Sequence, residues 1–324
     1  MENAQTKALP WPPASKMDWP WSEDSPALGV TTSEGRYWPR ISIVTISYNQ
    51  GQFLEEAIRS VLLQRYPNLE YIVIDGGSTD GSADIIQKYQ EKIAYWCSEP
   101  DRGPAAGLNK GFQRATGEIF GFLNADDFYL PGSFHKIANL FRIHSSADIL
   151  CGDGYMNDVS GQSRKPIFSD SWSLWRLAHG TCVLVQQATF FRRDAFLQTN
   201  GFNEKHLTYW DAGLWADLGL AGAKFHHIRE FFGVFRLHAN SISINGRTRQ
   251  FRRDSDLYFQ RIMQRQRRAS DYALELLLRF FKFCHHPHRT LGYKLFLHSI
   301  RKSQVAPVNA RILTVGDRKL ADGV

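Results

Sequence analysis

The chain has 324 residues, of which 43% are hydrophobic and 22% are charged. This balance excludes a chain that is disordered throughout, because such chains hold too few apolar residues to build a core. The net charge of +7 arises at the C-terminal end: residues 246–324 contain 17 Lys/Arg and 6 Asp/Glu, against 22 and 26 in the rest of the chain. The acidic balance of residues 1–245 argues against nucleic acid as a partner.

The four cysteines are widely spaced and form no C-x-x-C pair, so the sequence predicts neither a zinc knuckle nor a redox motif. We expect them to be reduced thiols. We find no apolar signal segment near the N-terminus, and no stretch reaches the roughly 18 apolar residues of a membrane span. We therefore expect a cytoplasmic protein.

Strands and helices are predicted to alternate after residue 36. Residues 1–36 are rich in Trp and Pro and show no periodicity, so we expect an N-terminal arm. Runs rich in β-branched and aromatic residues predict strands at 41–47, 71–74, 93–97 and 119–123. Apolar residues at helical spacing predict helices at 53–62, 83–89, 104–115 and 133–144. Repeated β–α units of this length predict an α/β fold whose mainly parallel sheet is covered by helices on both faces.

The second half of the chain is less regular. Its apolar patterns predict strands at 149–151, 188–191 and 231–237, and helices at 193–199 and 211–221. Beyond residue 249 the chain is predicted to be mostly helical and basic. We accordingly divide the chain into the arm (1–36), one α/β domain (37–245) and a basic helical extension (246–324).

Polar loops follow the first four predicted strands. They are 47–49 (Ser-Tyr-Asn), 75–80 (Asp-Gly-Gly-Ser-Thr-Asp), 99–103 (Glu-Pro-Asp-Arg-Gly) and 124–127 (Asn-Ala-Asp-Asp). The carboxyl ends of parallel strands share one edge of a sheet, where ligands bind, so we expect these acidic side chains to converge. Carboxylates repel each other unless a cation lies between them, and oxygen ligands suit Mg²⁺ or Mn²⁺. A divalent cation in such a crevice suits a diphosphate.

Two of these loops also have a purely structural explanation. Taken alone, residues 75–80 are a good turn and helix cap, and residues 124–127 could be an Asx-turn. Acidic loops on adjacent strand ends are harder to explain as independent caps, so the joint pattern favours a functional site. The phosphate-binding motifs G-x-G-x-x-G and G-x-x-x-x-G-K-[ST] are absent, which argues against dinucleotide-binding and P-loop proteins.

Residues 39 to about 245 resemble the family 2 glycosyltransferases, which have the GT-A fold. The resemblance depends on the order and spacing of V-T-I-S-Y-N (44–49), Y-I-V-I-D-G-G-S-T-D-G (71–81), E-P-D-R-G (99–103) and G-E-I-F-G-F-L-N-A-D-D (117–127). Weaker matches follow at 187–193, 201–204, 211–215 and 236–243. The resemblance covers about two thirds of the chain and leaves out the arm and the extension.

The resemblance implies roles in binding the donor. Thr45, Ser47 and Tyr48 would line the nucleotide pocket. Asp75 would accept a hydrogen bond from the base, and Asn109 would lie near the donor.

The resemblance also implies a metal site and a catalytic base. Asn124 and Asp126 occupy the D-x-D position of the family, so Asn124 would contact the ribose. Asp126 would hold the Mn²⁺ or Mg²⁺ that bridges the diphosphate, with Asp127 beside it. His238 would reach the metal or the diphosphate, and Asp211 matches the general base.

Two departures from the family pattern bear on these roles. Asn124 replaces the first acid of D-x-D, so its contact with the ribose would be neutral. Gly213 stands where a second acid near the base is common, so Asp217 is a reserve for Asp211. No Q-x-x-R-W motif occurs, which argues against a processive synthase.

The implied reaction is a metal-dependent, inverting transfer of one sugar from a nucleoside-diphosphate sugar to a hydroxyl of a glycan or lipid-linked acceptor. This chemistry belongs to polysaccharide biosynthesis. One alternative is a sugar-nucleotide nucleotidyltransferase, although its usual glycine-rich basic loop after the first strand is absent. A second alternative is a non-catalytic nucleotide-binding module.

The extension contains an amphipathic helical pattern. Its apolar positions 274, 277, 278 and 281 fall on one helical face, and three arginines lie just upstream at 265, 267 and 268. We favour a helix that docks on the domain with a solvated basic face. The alternative is peripheral attachment to an anionic membrane surface.

Overall fold

The computed structural model describes residues 9–13, 16, 18–21, 25, 29, 31–32, 34–158, 164–206, 208–238, 241–242, 249–285 and 287. Much of the predicted arm, and residues 288–324 of the predicted extension, lie outside these residues.

The described strands form one nine-stranded sheet. They are β1 (Ile41–Ser47), β2 (Leu69–Asp75), β3 (Tyr95–Ser98), β4 (Ile119–Asn124), β5 (Phe128–Tyr129), β6 (Ile149–Asn157), β7 (Arg164–Ile167), β8 (Thr189–Arg192) and β9 (Phe225–Arg236). Their order across the sheet is β3-β2-β1-β4-β8-β6-β9-β5, and β7 pairs with β6.

The helices lie between and after these strands. They are α1 (Gly51–Leu62), α2 (Ser82–Lys88), α3 (Pro104–Arg114), α4 (Ser133–Ile143), α5 (Leu174–Ala178), α6 (Arg193–Leu197), α7 (Trp210–Leu220), α8 (Arg249–Met263) and α9 (Ala269–His285). Two 3-10 helices occupy Gln90–Lys92 and Gln186–Ala188. Within the described residues, none of the helices is both long and apolar enough to cross a lipid bilayer.

The first half of the sheet is parallel, as predicted. β1 lies between β2 and β4 and runs parallel to both, and β3 is parallel to β2. β6 and β9 also run parallel, while β8 joins the two halves through antiparallel pairs with β4 and β6. The predicted α/β fold with a mainly parallel sheet is therefore confirmed, and the antiparallel connection through β8 is an addition to it.

The alternation of side chains along β1 explains the two cores. Ile43 faces the layer that contains α1, where Ile58 is fully buried. The next residue, Val44, faces the opposite layer and packs with Leu108 and Phe112 of α3. Because successive residues of a strand point to opposite faces, a strand that is apolar at both positions is covered on both sides.

The ends of the described chain pack on the α/β domain. In the arm, the indole N–H of Trp21 donates to Glu56 of α1 at 3.1 Å, and Arg59 Nε donates to the carbonyl of Pro20 at 3.1 Å. In the extension, α8 buries Phe259 and pairs Arg261 Nε with Oδ1 of Asp217 on α7 at 2.7 Å.

Candidate active site

A cavity of about 2860 Å³ opens at the carboxyl ends of the parallel strands and extends to α9. The register of β1 sets its floor, because Ser47 pairs with Asp75 of β2 and Ile46 pairs with Asn124 of β4. Neighbouring strands are about 4.8 Å apart, so Asp75 and Asn124 lie about 10 Å from each other across β1. The loops that were predicted to converge therefore share one edge of the sheet.

The loop after β1 presents two of the predicted residues to the cavity. Ser47 lines it, and its buried Oγ makes no hydrogen bond among the described residues. Tyr48 also lines it and is 64% exposed. Asn49 turns the chain with a φ of 52°, and its Oδ1 accepts from the backbone N–H of Thr79 at 2.9 Å. This bond ties the β1 loop to the β2 loop.

Asp75 is completely buried at the end of β2. Its carboxylate accepts from the N–H and the hydroxyl of Ser78 at 2.9 and 2.6 Å, and from the hydroxyl of Ser98 at 2.6 Å. A carboxylate has about four acceptor positions, so one remains. Asp75 shapes the loop whose Gly76 and Gly77 line the cavity, and its predicted contact with a base stays a prediction.

Asp126 lines the cavity and contacts His238, which is buried and is not itself among the lining residues. His238 Nε2 lies 3.0 Å from Oδ2 of Asp126, although the two residues are 112 positions apart. The His238 ring packs on Phe53 of α1 at a centroid distance of 4.8 Å, and its backbone N–H donates to Ser241 Oγ at 3.0 Å. Asn124 lines the cavity too, and its buried Oδ1 makes no hydrogen bond among the described residues.

Asp127 lies beneath this pair and does not line the cavity. Its carboxylate accepts from Gln187 Nε2 at 2.6 Å and from the backbone N–H of Arg236 at 2.9 Å. Burial and the charge of neighbouring Asp126 raise its pKa well above the usual range. Asp127 therefore holds the end of β9 in place, and the structure does not bring it to the cavity beside Asp126 as predicted.

Asp211 lines the cavity from the first turn of α7. It is not the cap of that helix, because the N-cap residue is Tyr209. Its Oδ1 accepts from the backbone N–H of Ala212 at 2.8 Å, and burial raises its pKa. The reserve residue Asp217 does not line the cavity and pairs with Arg261, so the geometry favours Asp211.

Two predicted residues lie elsewhere. The side chain of Thr45 is fully buried within the sheet, where its Oγ1 accepts from the hydroxyl of Tyr71 at 3.0 Å. The side-chain amide of Asn109 on α3 makes two hydrogen bonds to the main chain of Phe202. Nδ2 donates to the carbonyl and Oδ1 accepts from the N–H, both at 2.8 Å. Neither residue lines the cavity, because Thr45 lies inside β1, two residues before the strand ends at Ser47, and Asn109 bridges α3 to a loop.

Asp126 and His238 form a donor set that fits a divalent cation. In the part of the chain that the structure describes, no group of three His, Cys, Asp or Glu side chains could hold a metal ion. Magnesium and similar ions are commonly held by one or two protein groups together with substrate phosphates. The cavity-lining carboxylate of Asp126, with the imidazole of His238 in contact with it, meets that requirement for Mn²⁺ or Mg²⁺.

Other residues of the cavity carried no role in the prediction. Asp101 lines it beside Gly76, and its Oδ1 accepts from the N–H of Gly103 at 2.8 Å. His227 of β9 lies with its Nε2 3.1 Å from Oδ1 of Asp153 on β6. Asp101 lies in the third polar loop, so its position after a predicted strand could have indicated a site residue. Asp153 and His227 lie inside strands, where no sequence pattern indicates a role in the site.

Comparison with known proteins assigns the family. Residues 42–202, about half of the chain, match the family model for glycosyl transferase family 2. The putative teichuronic acid biosynthesis glycosyltransferase TuaG of Bacillus subtilis is 29% identical over 64% of this chain and 82% of TuaG. An uncharacterized glycosyltransferase of Nostoc sp. is 31% identical over 39% of each protein, so the chain spans about two fifths of that relative.

Solved structures share the fold. TarS 1–349 of S. aureus in complex with UDP-GlcNAc matches with a TM-score of 0.55 and 19% identity, covering 79% of this chain and 75% of TarS 1–349. The mannosyltransferase PcManGT of Pyrobaculum calidifontis, in complex with GDP-Man and Mn²⁺, matches with a TM-score of 0.53 and 18% identity over 77% of this chain and 70% of PcManGT. From the family match, the relatives and the fold we conclude that the chain belongs to glycosyl transferase family 2 and has the GT-A fold.

Proposed function

We propose that the protein transfers a sugar from a nucleoside-diphosphate sugar to a hydroxyl of a glycan or lipid-linked acceptor, with inversion at the anomeric carbon. The observation that carries this proposal is Asp126, which lines the same cavity as Asp211 and lies 3.0 Å from Nε2 of the buried His238. The family match and the UDP-GlcNAc and GDP-Man complexes of the structural neighbours support a nucleotide sugar as donor.

The donor end of the proposed site lies at β1 and β4. The unpartnered hydroxyl of Ser47 and the exposed ring of Tyr48 would contact the nucleoside, and the unpartnered Oδ1 of Asn124 would accept from a ribose hydroxyl. Asp126 and His238 would hold Mn²⁺ or Mg²⁺ at the diphosphate. When bound, such a cation supplies Lewis-acid charge that offsets the negative charge of the leaving diphosphate.

Asp211 would act as the general base. It would take the proton from the acceptor hydroxyl while that oxygen bonds to the anomeric carbon and the bond to the diphosphate oxygen breaks. Burial, which raises the pKa of Asp211, makes the carboxylate a stronger base than an exposed aspartate. A single displacement of this kind inverts the anomeric configuration.

The binding half of the proposal can be tested by thermal unfolding with UDP or GDP, each with and without Mn²⁺. We expect the nucleotide to raise the melting temperature more when Mn²⁺ is present, because a ligand that binds the folded state stabilises it by mass action. Asp126→Asn should lose the part that depends on Mn²⁺, whereas Asp84→Asn on the exposed surface of α2 should keep it. An unchanged response of Asp126→Asn would contradict the metal site.

The catalytic half is tested by the product released from a panel of nucleotide sugars. Release of nucleoside diphosphate is expected, and Asp211→Asn should bind the nucleotide normally but turn over about 10²- to 10⁴-fold more slowly. Release of pyrophosphate would instead identify a nucleotidyltransferase. Nucleotide binding without release of either product would indicate a non-catalytic module.

A further inference from the structure

Helix α9 turns its charged side chains toward the rest of the protein. Lys282 Nζ lies 2.5 Å from Oδ2 of Asp170, in the loop between β7 and α5. Glu275 pairs with Arg267 at 3.3 Å, and its neighbour Asp271 is buried and pairs with Arg265 at 2.6 Å. The polar side of this helix is therefore the side that docks.

The opposite side of α9 is apolar and faces outward. At 100° per residue, its exposed apolar residues cover about half of the helix circumference. We call them the apolar face of α9: Tyr272, Ala273, Leu276, Leu277, Phe280, Phe281, Phe283 and Cys284. Leu276 is 70% exposed and Phe280 is 59% exposed. Contiguous exposed apolar surface of this kind marks an interaction site.

The predicted orientation of this helix is only partly observed. Leu274 and Leu278, two of the residues predicted to dock, are half-buried, whereas Leu277 and Phe281 are exposed. The helix docks through ion pairs more than through its apolar residues. Its most apolar side is left for another partner.

We propose that the apolar face of α9 binds the surface of an anionic lipid bilayer. An interfacial helix of this type carries Leu and Phe on one side and cations on the other, and it lies in the plane of the membrane. Residues 246–324 hold 17 Lys/Arg and 6 Asp/Glu, so an anionic bilayer attracts this part of the chain. Two copies of the same basic extension would repel each other, which disfavours a second copy as the occupant.

The position of this face relates it to the cavity. Leu276, Phe280 and Phe283 line the same cavity as Asp126 and Asp211. A bilayer on this face would lie at the mouth of the cavity. If the proposed transfer reaction is correct, an acceptor anchored in the bilayer would enter there, but membrane binding itself does not depend on that reaction.

The test is co-sedimentation of the full chain with vesicles of phosphatidylcholine containing about one third phosphatidylglycerol, and with pure phosphatidylcholine as reference. We expect binding to the anionic vesicles that weakens with added salt. Leu276→Glu with Phe280→Glu should lower the partition coefficient at least about tenfold, because burial of a single Leu or Phe side chain is worth about that factor. Ile143→Glu on α4, at 67% exposure, is the matched control and should bind as the wild type does.

Circular dichroism checks that the double variant is folded, which we expect because both substituted side chains are exposed. Equal binding of the double variant and the wild type would overturn the proposal, as would no binding to anionic vesicles at low salt. Sedimentation velocity measures the oligomeric state of both proteins. A wild-type dimer that the double variant lacks, without vesicle binding, would identify a second copy as the occupant and would also overturn the proposal.

Discussion

The ion pair between Glu56 and Arg236 offers a sharp test of how the site is held. Arg236 ends β9 two residues before His238, and its guanidinium pairs with Glu56 of α1. It also lies over the Phe53 ring at 4.7 Å from the centroid. Glu56 has other partners, since it accepts from Lys16 at 3.0 Å and from Trp21 at 3.1 Å. The pair is thus asymmetric.

Because Glu56 has other hydrogen-bond partners, the two single substitutions should lower the free energy of unfolding by different amounts. The Arg236 side chain is 6% exposed and that of Glu56 is 19% exposed. Removing one partner of a buried pair costs about 3–5 kcal/mol. Because Glu56 is partly exposed and Gln keeps a carbonyl acceptor, we expect Glu56→Gln to lower the free energy of unfolding by about 2–3 kcal/mol. Arg236→Met should cost only about 1 kcal/mol, since Glu56 keeps two donors and Met still packs on the ring.

Urea unfolding monitored by tryptophan fluorescence measures these differences. The double variant Glu56→Gln with Arg236→Met should be more stable than Glu56→Gln alone, because the unpaired buried cation is then gone. If Glu56→Gln unfolds at the wild-type midpoint, or if Arg236→Met costs more than Glu56→Gln, the reasoning about the buried cation is refuted.

The same pair predicts a pH dependence. Burial alone would raise the pKa of Glu56, but Arg236 and Lys16 outweigh it and the pKa lies below its usual value. A carboxyl whose pKa is lowered in the folded state stabilises the fold above its unfolded pKa and loses that contribution as pH falls through the folded value. The stability gap between the wild type and Glu56→Gln should therefore be full at neutral pH and shrink below about pH 4.

Two further substitutions test the packing and the corrected site. Gly111→Ala should lower the free energy of unfolding by about 1–3 kcal/mol, because the added methyl overlaps Cγ1 of Val44. Adding Val44→Ala to the same chain should recover part of the loss. An unchanged urea midpoint of Gly111→Ala would contradict this packing. Asn109→Ala should lower the free energy of unfolding by about 1–3 kcal/mol, because the hydrogen bonds to Phe202 are lost. The thermal shift with UDP or GDP and Mn²⁺ should stay unchanged. Loss of that shift would place Asn109 in the donor site after all.

Local pattern was sufficient to predict the first half of the fold. The run 41–47 is apolar at both alternating positions, and it became the central strand β1. The end of β6 and the start of β9 were predicted less well. β6 begins at Ile149 as predicted but continues to Asn157, and β9 begins at Phe225, because its polar residues His226, His227 and Arg229 concealed the first part of a 12-residue strand. The insertion of β8 between β4 and β6 depends on strand order, which no residue period encodes.

The residues of the candidate site were also predictable only in part. Residues at a strand end or within two positions after it, such as Ser47, Tyr48 and Asp126, line the cavity because the parallel sheet brings its carboxyl ends together. Asn109 lies on a helix, and its distance from the donor site could be judged only once the loop at Phe202 was seen to satisfy its amide. Thr45 lies on the same face of β1 as Ser47 but two residues before the strand end, where its side chain is buried and accepts from Tyr71.

His238 shows why the strongest pair in the site depends on tertiary structure. It follows the end of β9, and three buried contacts fix that end: Asp127 accepts from the N–H of Arg236, Glu56 pairs with the guanidinium, and Phe53 packs on the His238 ring. These contacts come from the β4 loop and from α1. A site supported in this way keeps its geometry before a ligand arrives, so binding free energy is not spent on ordering it. It follows that substitutions at Glu56 should weaken the Mn²⁺-dependent binding of nucleotide although Glu56 faces neither ligand.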